Sequence, residues 1–515
     1  MPAYILTRIK KAGVKMEIKK GNINLCEQIA RSYASALVEG DIVIPDTKPD
    51  IAEILLADAK AKVTDTDYKG GVLKIAGQVE FMALYKPEDG GELVCVSESL
   101  YFGESIDIKG SENASFTVKA DVEHIGFTLV NSRKLSAKMM IALSAVANDK
   151  MQYEPVIEVT GEDIESRSKK HSIYIPVSDT ETKISVSDIL TVAEDCPDIG
   201  EILKVDAWVS GIDTRVMNGK VMIHADMHVN TMYASAEDEK VTGVSHTVPF
   251  TEIVEAPGAD EQTTVNVTCN VMDVFATTKG DLKGDTKIIS VDASICARVR
   301  VSKTMAETVV DDCYCLSGKT EVSRDSMKIS EYITSENARI TVNKSVDVPK
   351  NVKIDEVIHC CAKPLLRAYT WENGMVKVSG VLVAFLVYRD GDGNLRCGVS
   401  ESDINWEKAI HDKCEPEVDM WLEDISADNG NIIANVGLYM KALKSHRVDI
   451  LTDVNKKDEE SQSDIPCMVI YFVKEGDTLW SIAKKYRTKA EKIKIANKLE
   501  NDKIEVGRRL MIPKA

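Results

Sequence analysis

The sequence predicts a mainly β protein: three antiparallel β domains in tandem, each a sandwich or an open barrel, followed by a small α+β module. Two observations support this prediction. A segment of alternating apolar residues occurs three times, about one domain length apart. Near the C-terminus the apolar spacing changes from that of a strand to that of a helix. A chain of 515 residues has room for roughly three or four domains.

The repeat is clearest in three segments that each begin at a glycine and end at a tyrosine. They are Gly71–Tyr85, Gly219–Tyr233 and Gly374–Tyr388, at offsets of 148 and 155 residues. In each segment every second residue is mostly apolar, which is the pattern of a strand with one buried face. A period near 150 residues is too long for a solenoid repeat and matches one whole domain. We therefore expect three copies of one domain.

The predicted boundaries follow from this repeat and from a polar stretch near the C-terminus. The three β domains are expected at residues 1–160, 161–322 and 323–451. Residues 452–467 have almost no large apolar side chains, so they are predicted to form a linker. The C-terminal module then occupies residues 468–515. We expect the β domains to form an extended scaffold.

Two local patterns allow more than one interpretation. The stretch Ile23–Leu37 has apolar spacing that would also suit a helix, within a chain otherwise typical of strands. The Pro-Asp pair at 49–50 returns at 197–198, whereas the third copy has Val-Lys at 352–353. Proline fixes φ and aspartate can accept a hydrogen bond from the backbone two residues on, so a turn explains this pair. A docking surface is the alternative.

The C-terminal module reads as strand, helix, helix, strand. Its first helix has apolar residues at i, i+3, i+4 and i+7, and the turn before it can supply a helix cap. A capping-box pattern at Thr488–Glu491 predicts the start of the second helix, which Asn497 ends. The flanking strands are expected at Ile470–Val473 and within Ile504–Pro513.

This unit resembles a LysM domain from Val469 to Pro513. The resemblance includes Tyr471, Val473, Gly476, Asp477, Thr478, Leu479, Ile482, Ala483, Tyr486, Ile493, Asn497, Ile504, Gly507, Leu510, Ile512 and Pro513. LysM domains generally bind N-acetylglucosamine-containing glycans, such as peptidoglycan, in a shallow groove between two loops. By position these loops are 476–479 and 499–504. Most apolar signature residues are expected to form the core, because a module this small needs them there.

The resemblance implies a set of candidate ligand-binding residues in these two loops. Backbone amides and small polar groups would meet N-acetyl groups, while Leu479 and Ile504 would offer apolar contact. The candidates are Gly476, Asp477, Thr478, Leu479, Leu499, Asn501, Asp502 and Ile504.

The charge of the module is opposite to that of the rest of the chain. Residues 469–515 contain 12 basic and 6 acidic side chains, a net +6, which leaves −24 for the remainder of a chain with a net charge of −18. A basic module can attract an acidic polymer, an acidic protein surface or the acidic body of its own chain. A solvated helix face is the alternative. The acidic total argues against nucleic acid as the main partner. By position, we expect the contributing side chains to be Lys484, Lys485, Lys489, Lys492, Lys494, Arg508 and Arg509.

No pattern of catalytic or metal-binding residues emerges, so we predict neither an enzyme nor a bound cofactor. The best metal-like constellation is His224, Asp226 and His228, which would share one strand face. The corresponding positions of the other copies lack these residue types, which favours an ordinary solvent-facing strand. Cys313–Cys315 and Cys360–Cys361 could form half a zinc site, but no second pair stands at zinc-like spacing.

Export and membrane signals are not expected either. The N-terminal residues lack an apolar segment long enough for a secretory signal. The longest apolar run, Val381–Val387, is far shorter than a membrane span. We therefore expect the chain to stay in the compartment where it is made, with its cysteines reduced.

The tandem copies also resemble a known domain. Residues 37–55 (LVEGDIVIPDTKPDIAEIL) are similar to the SPOCS domain of spore-coat-associated proteins. Three such domains followed by one LysM resemble the SipL type of coat morphogenetic protein. The resemblance implies a scaffold on the mother-cell side of the forespore surface that interacts with the coat ATPase of the stage IV sporulation protein A type. The alternative that it leaves open is a peptidoglycan-binding protein of the cortex or cell wall.

Overall fold

The computed structural model describes residues 9–10, 16–280, 286–349, 352–457 and 468–513. In its first third, two three-stranded antiparallel sheets, ordered β3–β8–β7 and β4–β5–β6, pack face to face, and a small sheet joins β1, β2 and β9. The strands are β1 (Ile9–Lys10), β2 (Met16–Lys20), β3 (Ile23–Val43), β4 (Ile51–Lys69), β5 (Val72–Pro87), β6 (Val94–Asp107), β7 (Ser115–Asn131), β8 (Lys134–Tyr153) and β9 (Val156–Gly161).

The second and third copies repeat this pair of sheets. Their orders are β10–β15–β14 with β11–β12–β13, and β16–β21–β20 with β17–β18–β19. The strands are β10 (Ile164–Thr191), β11 (Ile199–Met217), β12 (Lys220–Ser235), β13 (Val241–Glu255), β14 (Thr264–Lys279), β15 (Ile288–Cys315), β16 (Lys319–Ser345), β17 (Ile354–Glu372), β18 (Met375–Asp390), β19 (Leu395–Ala409), β20 (Glu415–Asp428) and β21 (Asn431–Lys457).

The predicted fold class is therefore confirmed, and each copy is a sandwich rather than a barrel. The repeated segment is the central strand of one sheet in every copy: β5, β12 and β18. Its alternate apolar side chains, such as Val79 and Phe81, are fully buried against the other sheet. The alternating apolar residues of the sequence are therefore the side chains on the buried face of a half-buried sheet.

Two local expectations were wrong. Residues 23–37 are not helical but belong to β3, which pairs with β8 along its whole length. A bulge between Gln28 and Ala30 and the exposure of Tyr33 and Leu37 spread apolar side chains over both faces, which imitates a helical period. The predicted linker begins too early, because β21 continues to Lys457 in its pairing with β16. Residues 458–467 lie outside the described residues.

The three copies do not form the expected extended scaffold. The sheets that contain the repeated segments converge on one hydrophobic cluster to which every copy contributes. Lys204, which is 6% exposed, lies against this cluster, with its Nζ 5.1 Å from the ring centre of Phe385. The cluster contains Leu56, Leu84, Leu93, Leu203, Met232, Val241, Ile358, Cys361, Phe385, Val387 and Leu395.

Lys204 of the second copy is the centre of a buried ionic network at this junction. Its Nζ lies 2.8 Å from Asp58 of the first copy and 2.9 Å from Asp206 of its own copy. His359 of the third copy lies 2.7 Å from Asp206, and Lys363 also contacts Asp58. Charges removed from water are tolerated only when paired in this way.

The network follows the repeat. Leu56, Lys204 and His359 occupy one equivalent position, opposite Leu84, Met232 and Val387 in their hairpins. Two residues further on, the equivalent position holds Asp58, Asp206 and Cys361. Lys204 and His359 each reach the aspartate of the preceding copy, and Leu56 and Cys361 supply apolar groups to the same cluster. The three copies therefore meet with an approximate three-fold relationship.

We expect Lys204→Met to lower the free energy of unfolding by about 3–5 kcal/mol, because it leaves two buried carboxylates without their shared cation. Urea denaturation of the full chain would measure the loss. The matched control is Lys62→Met, since Lys62 also pairs across copies, with Asp273, but is more exposed. That control should cost no more than about 1 kcal/mol. Equal losses for the two variants would contradict the central role of Lys204.

The junction should also weaken in acid. Burial alone would raise the pKa of Asp58, but Lys204 and Lys363 outweigh burial and lower that pKa from 3.8 to about 2. A carboxylate with a depressed folded-state pKa stabilises the fold fully above its unfolded pKa, and this contribution is lost as the pH falls through the folded value. Between pH 4 and 2, the wild type should therefore lose more stability than Asp58→Asn, as measured by urea midpoints. Parallel pH profiles for the two proteins would argue against this assignment.

Candidate functional site

The C-terminal module is a two-stranded sheet covered on one face by two short helices. Strands β22 (Met468–Phe472) and β23 (Arg509–Pro513) pair antiparallel, and α1 (Leu479–Tyr486) and α2 (Ala490–Asn497) pack on them. The side chain of Asn497 ties α2 to β23. It donates to the carbonyl oxygen of Met511 at 2.6 Å and accepts from its N–H at 2.7 Å.

The two helices begin differently. Thr478 caps α1: its Oγ1 accepts from the N–H of Ser481 at 3.0 Å, and Ser481 Oγ accepts from the N–H of Thr478 at 2.9 Å. The capping box predicted for α2 at Thr488 is wrong, because the N-cap is Lys489 and makes no side-chain cap bond. Thr488 is instead buried, and its N–H donates to Ala483 to close the end of α1.

The first candidate loop uses most of its side chains for its own structure. One carboxylate oxygen of Asp477 accepts from the hydroxyl of Tyr471 at 2.8 Å and from the N–H of Lys474 at 2.7 Å. The Lys474 bond and then the Tyr471 bond lower the pKa of Asp477. Leu479 is 2% exposed and belongs to the core, so its side chain cannot offer the apolar contact that was expected. Exposed groups here are Gly476, with φ of +82°, and the outer side of Thr478.

The second candidate loop leaves more of its surface free. Leu499 and Ile504 are partly buried and pack on the same hydrophobic cluster as Leu479, which brings the two loops to one core. Asn501 accepts from the N–H of Lys503 at 2.9 Å, which shapes the turn. Asp502 is largely exposed and lies 3.2 Å from Lys494. The accessible surface of the two loops is thus mainly backbone with short polar side chains, a surface suited to hydrogen bonding with amides and hydroxyls.

The C-terminal module packs against the β domains, which we call the body of the chain. Trp480 donates from Nε1 to Asp312 at 2.8 Å, and Lys484 lies 2.6 Å from the other oxygen of the same carboxylate. Tyr314 packs edge-on against Trp480, with ring centroids 4.9 Å apart, and its hydroxyl donates to the carbonyl of Thr488 at 2.8 Å. The contact face is therefore the side of α1 and the start of α2, against the end of β15.

Charge contributes to this contact. Lys489 lies 3.2 Å from Glu165 of β10, so two of the basic side chains singled out in the sequence pair with the body of their own chain. Burial opposes ionisation of Asp312, but hydrogen bonds from Lys484 and Trp480 outweigh it and lower its pKa. The sequence allowed three targets for the basic module: an acidic polymer, an acidic protein surface and the acidic body of its own chain. The structure shows contacts with the third of these, through Lys484 and Lys489.

Comparison with known families agrees with this geometry. The LysM domain model matches residues 471–513, which span both strands and both helices. The C-terminal module is a LysM domain. Neither of the helices among the described residues is long enough or apolar enough to cross a membrane.

The family described as the SPOCS domain of SipL matches residues 50–130 and 198–279. The chain thus carries SPOCS segments in its first two copies and a LysM domain at its end, as the sequence resemblance implied. The third copy has the same strand order but lies outside both matched segments. No curated protein and no solved structure matches the chain.

Both SPOCS segments begin at the aspartate of the Pro-Asp pair, and the structure gives this pair a structural role. The hydroxyl of Tyr85, which ends the first repeated segment, donates to the carbonyl of Pro49 at 2.9 Å. Tyr233 does the same to Pro197 at 3.0 Å. Burial raises the pKa of both tyrosines to about 12, so the hydroxyls remain donors. This supports the turn interpretation of the motif.

The metal-like residues of the sequence have other partners. His224 hydrogen-bonds Thr251 at 2.9 Å, and His228 hydrogen-bonds Ser210 at 2.8 Å and stacks on Trp208. Burial raises the pKa of Cys313 to about 11 and that of Cys360 to about 12, which disfavours the thiolate that a metal would need. Within the described ranges, no group of three or more potential ligands converges.

We expect Asp312→Ala to loosen the LysM domain on the body by about 1–2 kcal/mol, because Trp480 and the partly exposed Lys484 lose their shared acceptor. Hydrogen exchange of the full chain should then show faster exchange in α1. The matched control is Glu491→Ala, which removes a pair with Lys494 inside the LysM domain. Unchanged exchange in Asp312→Ala would show that the contact does not hold the domain.

Proposed function

We propose that this protein is a non-enzymatic adaptor of spore coat or envelope assembly, with the LysM domain as its recognition head. The observation that supports this proposal most strongly is the presence of two SipL-type SPOCS segments and a LysM domain in one chain. Both are non-catalytic binding domains, and together they fit a sporulation- or coat-associated protein with a peptidoglycan-binding LysM domain.

The architecture supports an adaptor for a physical reason. An adaptor must hold its binding surfaces at fixed separations, and the buried network around Lys204 restrains the three β domains against one another. The contact between Trp480 and Asp312 does the same for the LysM domain. It uses the side of α1, so the loops at 476–479 and 499–504 remain available to a ligand.

The proposed protein partner is the coat morphogenetic ATPase of the stage IV sporulation protein A type. The corresponding location is the mother-cell side of the forespore surface, where the chain would link the basement layer of the coat to the forespore. The LysM domain is the part of the chain that we assign to this recognition, because its net charge of +6 contrasts with the acidic body.

The second candidate function is peptidoglycan binding in the cortex or cell wall. The observation that favours it is the exposed, backbone-rich surface of the two LysM loops, including Gly476, Asn501 and Asp502. In this case the physiological ligand would be an N-acetylglucosamine polymer, and the β domains would only carry the LysM domain.

Two binding measurements on the full chain separate the candidates: cosedimentation with purified peptidoglycan and titration with the purified coat ATPase. The adaptor proposal expects saturable ATPase binding that is lost when residues 468–515 are removed. The glycan alternative expects saturable peptidoglycan binding that falls at least about tenfold in Asp477→Ala and Asn501→Ala, through the loss of one or more hydrogen bonds. Saturable glycan binding without ATPase binding would refute the first proposal.

The control for the loop variants is Tyr471→Phe. It removes one of the two hydrogen bonds to Asp477 but leaves the loop surface unchanged. If Tyr471→Phe weakens glycan binding as much as Asp477→Ala, the effect comes from the stability of the turn rather than from contact with the glycan.

A further inference from the structure

The third β domain has an open edge between its two sheets. At this edge the outer strand of one sheet is β16 and the outer strand of the other is β19. They approach at one end through an ion pair between Glu336 and Lys408, and at the other where Val346 packs against Gly398. Between these two contacts lies a notch of about 730 Å³, lined mainly by residues 340–344 and 401–403.

The other copies carry larger side chains at the equivalent edge. In the first copy, Leu100 of β6 stands opposite Val79 and packs directly against Gly40 of β3, which fills the edge. The equivalent residue opposite Met227 is Val248, beside a smaller notch of about 340 Å³. In the third copy it is Ser402, opposite Leu382. This position therefore carries leucine, valine and serine in the three copies, and the smallest of these side chains lies at the notch of the third copy.

The shape and the lining of the notch suit an extended strand. β16 and β19 each pair on one side only, so each presents a row of backbone donors and acceptors to the notch. Five residues of β16 line it, a length of about 17 Å for a strand. A small-molecule site would instead enclose its ligand in mostly apolar walls.

The first copy indicates which side chain fits. Leu100 shows that this position of the sandwich accepts an aliphatic group directed toward the core. In the third copy Ile340 and Val342 line the notch, and both pack on the core cluster that contains Ile404. On either side of Ser402, the exposed carboxylates of Glu401 and Asp403 point the other way. Lys344 and Arg367 also line the notch. A strand paired with β19 would bury an aliphatic residue, and the neighbours of that residue would stand directly opposite Glu401 and Asp403.

We propose that this notch binds an extended segment of another protein by strand addition to β19. The segment carries an aliphatic residue that enters the space above Ser402 and basic residues on either side that face Glu401 and Asp403. This surface is separate from the LysM loops, so it gives the chain a second binding site whether or not the proposed function of the LysM domain holds.

The probe is a synthetic heptapeptide of alternating lysine and valine, titrated against the full chain. We expect binding to wild type and to Ser402→Ala, which keeps the notch open. Ser402→Leu places at this position the leucine that the first copy has at Leu100, and it should weaken binding roughly 10- to 100-fold by excluding one aliphatic side chain of the peptide. Hydrogen exchange should show protection of residues 401–405 in the complex with wild type.

Two control peptides test the mechanism. A central proline removes strand pairing, and glutamate in place of lysine reverses the charges; both should bind at least about tenfold more weakly. Equal binding of the lysine–valine peptide to Ser402→Leu and wild type would mean general attraction to an acidic protein and would overturn the proposal. So would protection elsewhere in the chain. Dimers in sedimentation velocity that disappear in Ser402→Leu would instead assign the notch to self-association.

Discussion

The position of one lysine side chain constrains how the three β domains are arranged. Lys204 is shared by carboxylates of two copies, and the third copy joins through His359. A buried ion pair adds little net stability compared with an apolar replacement, but a misaligned one is strongly unfavourable. The network therefore favours the observed alignment of the three copies, because its charges are paired in that arrangement.

The LysM domain is added to this arrangement by a contact of the same kind. Asp312 accepts from both an indole and an ammonium group, and Tyr314 extends the core of the domain onto the body. The aromatic contact buries apolar surface, and the hydrogen bonds to the carboxylate fix the orientation of the LysM domain. Since the contact face and the candidate loops are different parts of the domain, the restraint orients the loops without covering them.

Much of the fold could be predicted because its signals are local. The alternation of apolar residues within Gly71–Tyr85 depends on one strand alone. The turn before α1, its N-cap at Thr478 and its apolar face likewise depend on one helix. Errors arose where two influences overlapped. The bulge in β3 imitates a helical period, and the sequence after Thr488 fits a capping box although this residue closes the preceding helix.

The junction and the LysM contact could not be predicted, because they join residues far apart in the chain. Lys204 and His359 share a repeat position with Leu56, and three side chains of such different chemistry give no common pattern. Trp480 and Asp312 are separated by 168 residues. The only signal was the opposite charge of module and body. The resemblance predicts the two candidate loops, yet only the structure shows that Leu479 is core and that Asp477 holds the turn.

The joining of three copies on one chain has a consequence for assembly. A ring built from separate subunits dissociates on dilution, since its formation depends on subunit concentration. Here the partners are covalently connected, so their effective concentration is set by the connecting strands and is independent of how many molecules the cell makes. Even at low abundance the chain would therefore present its three β domains together, and because Leu56, Lys204 and His359 differ, each domain has its own place at the junction.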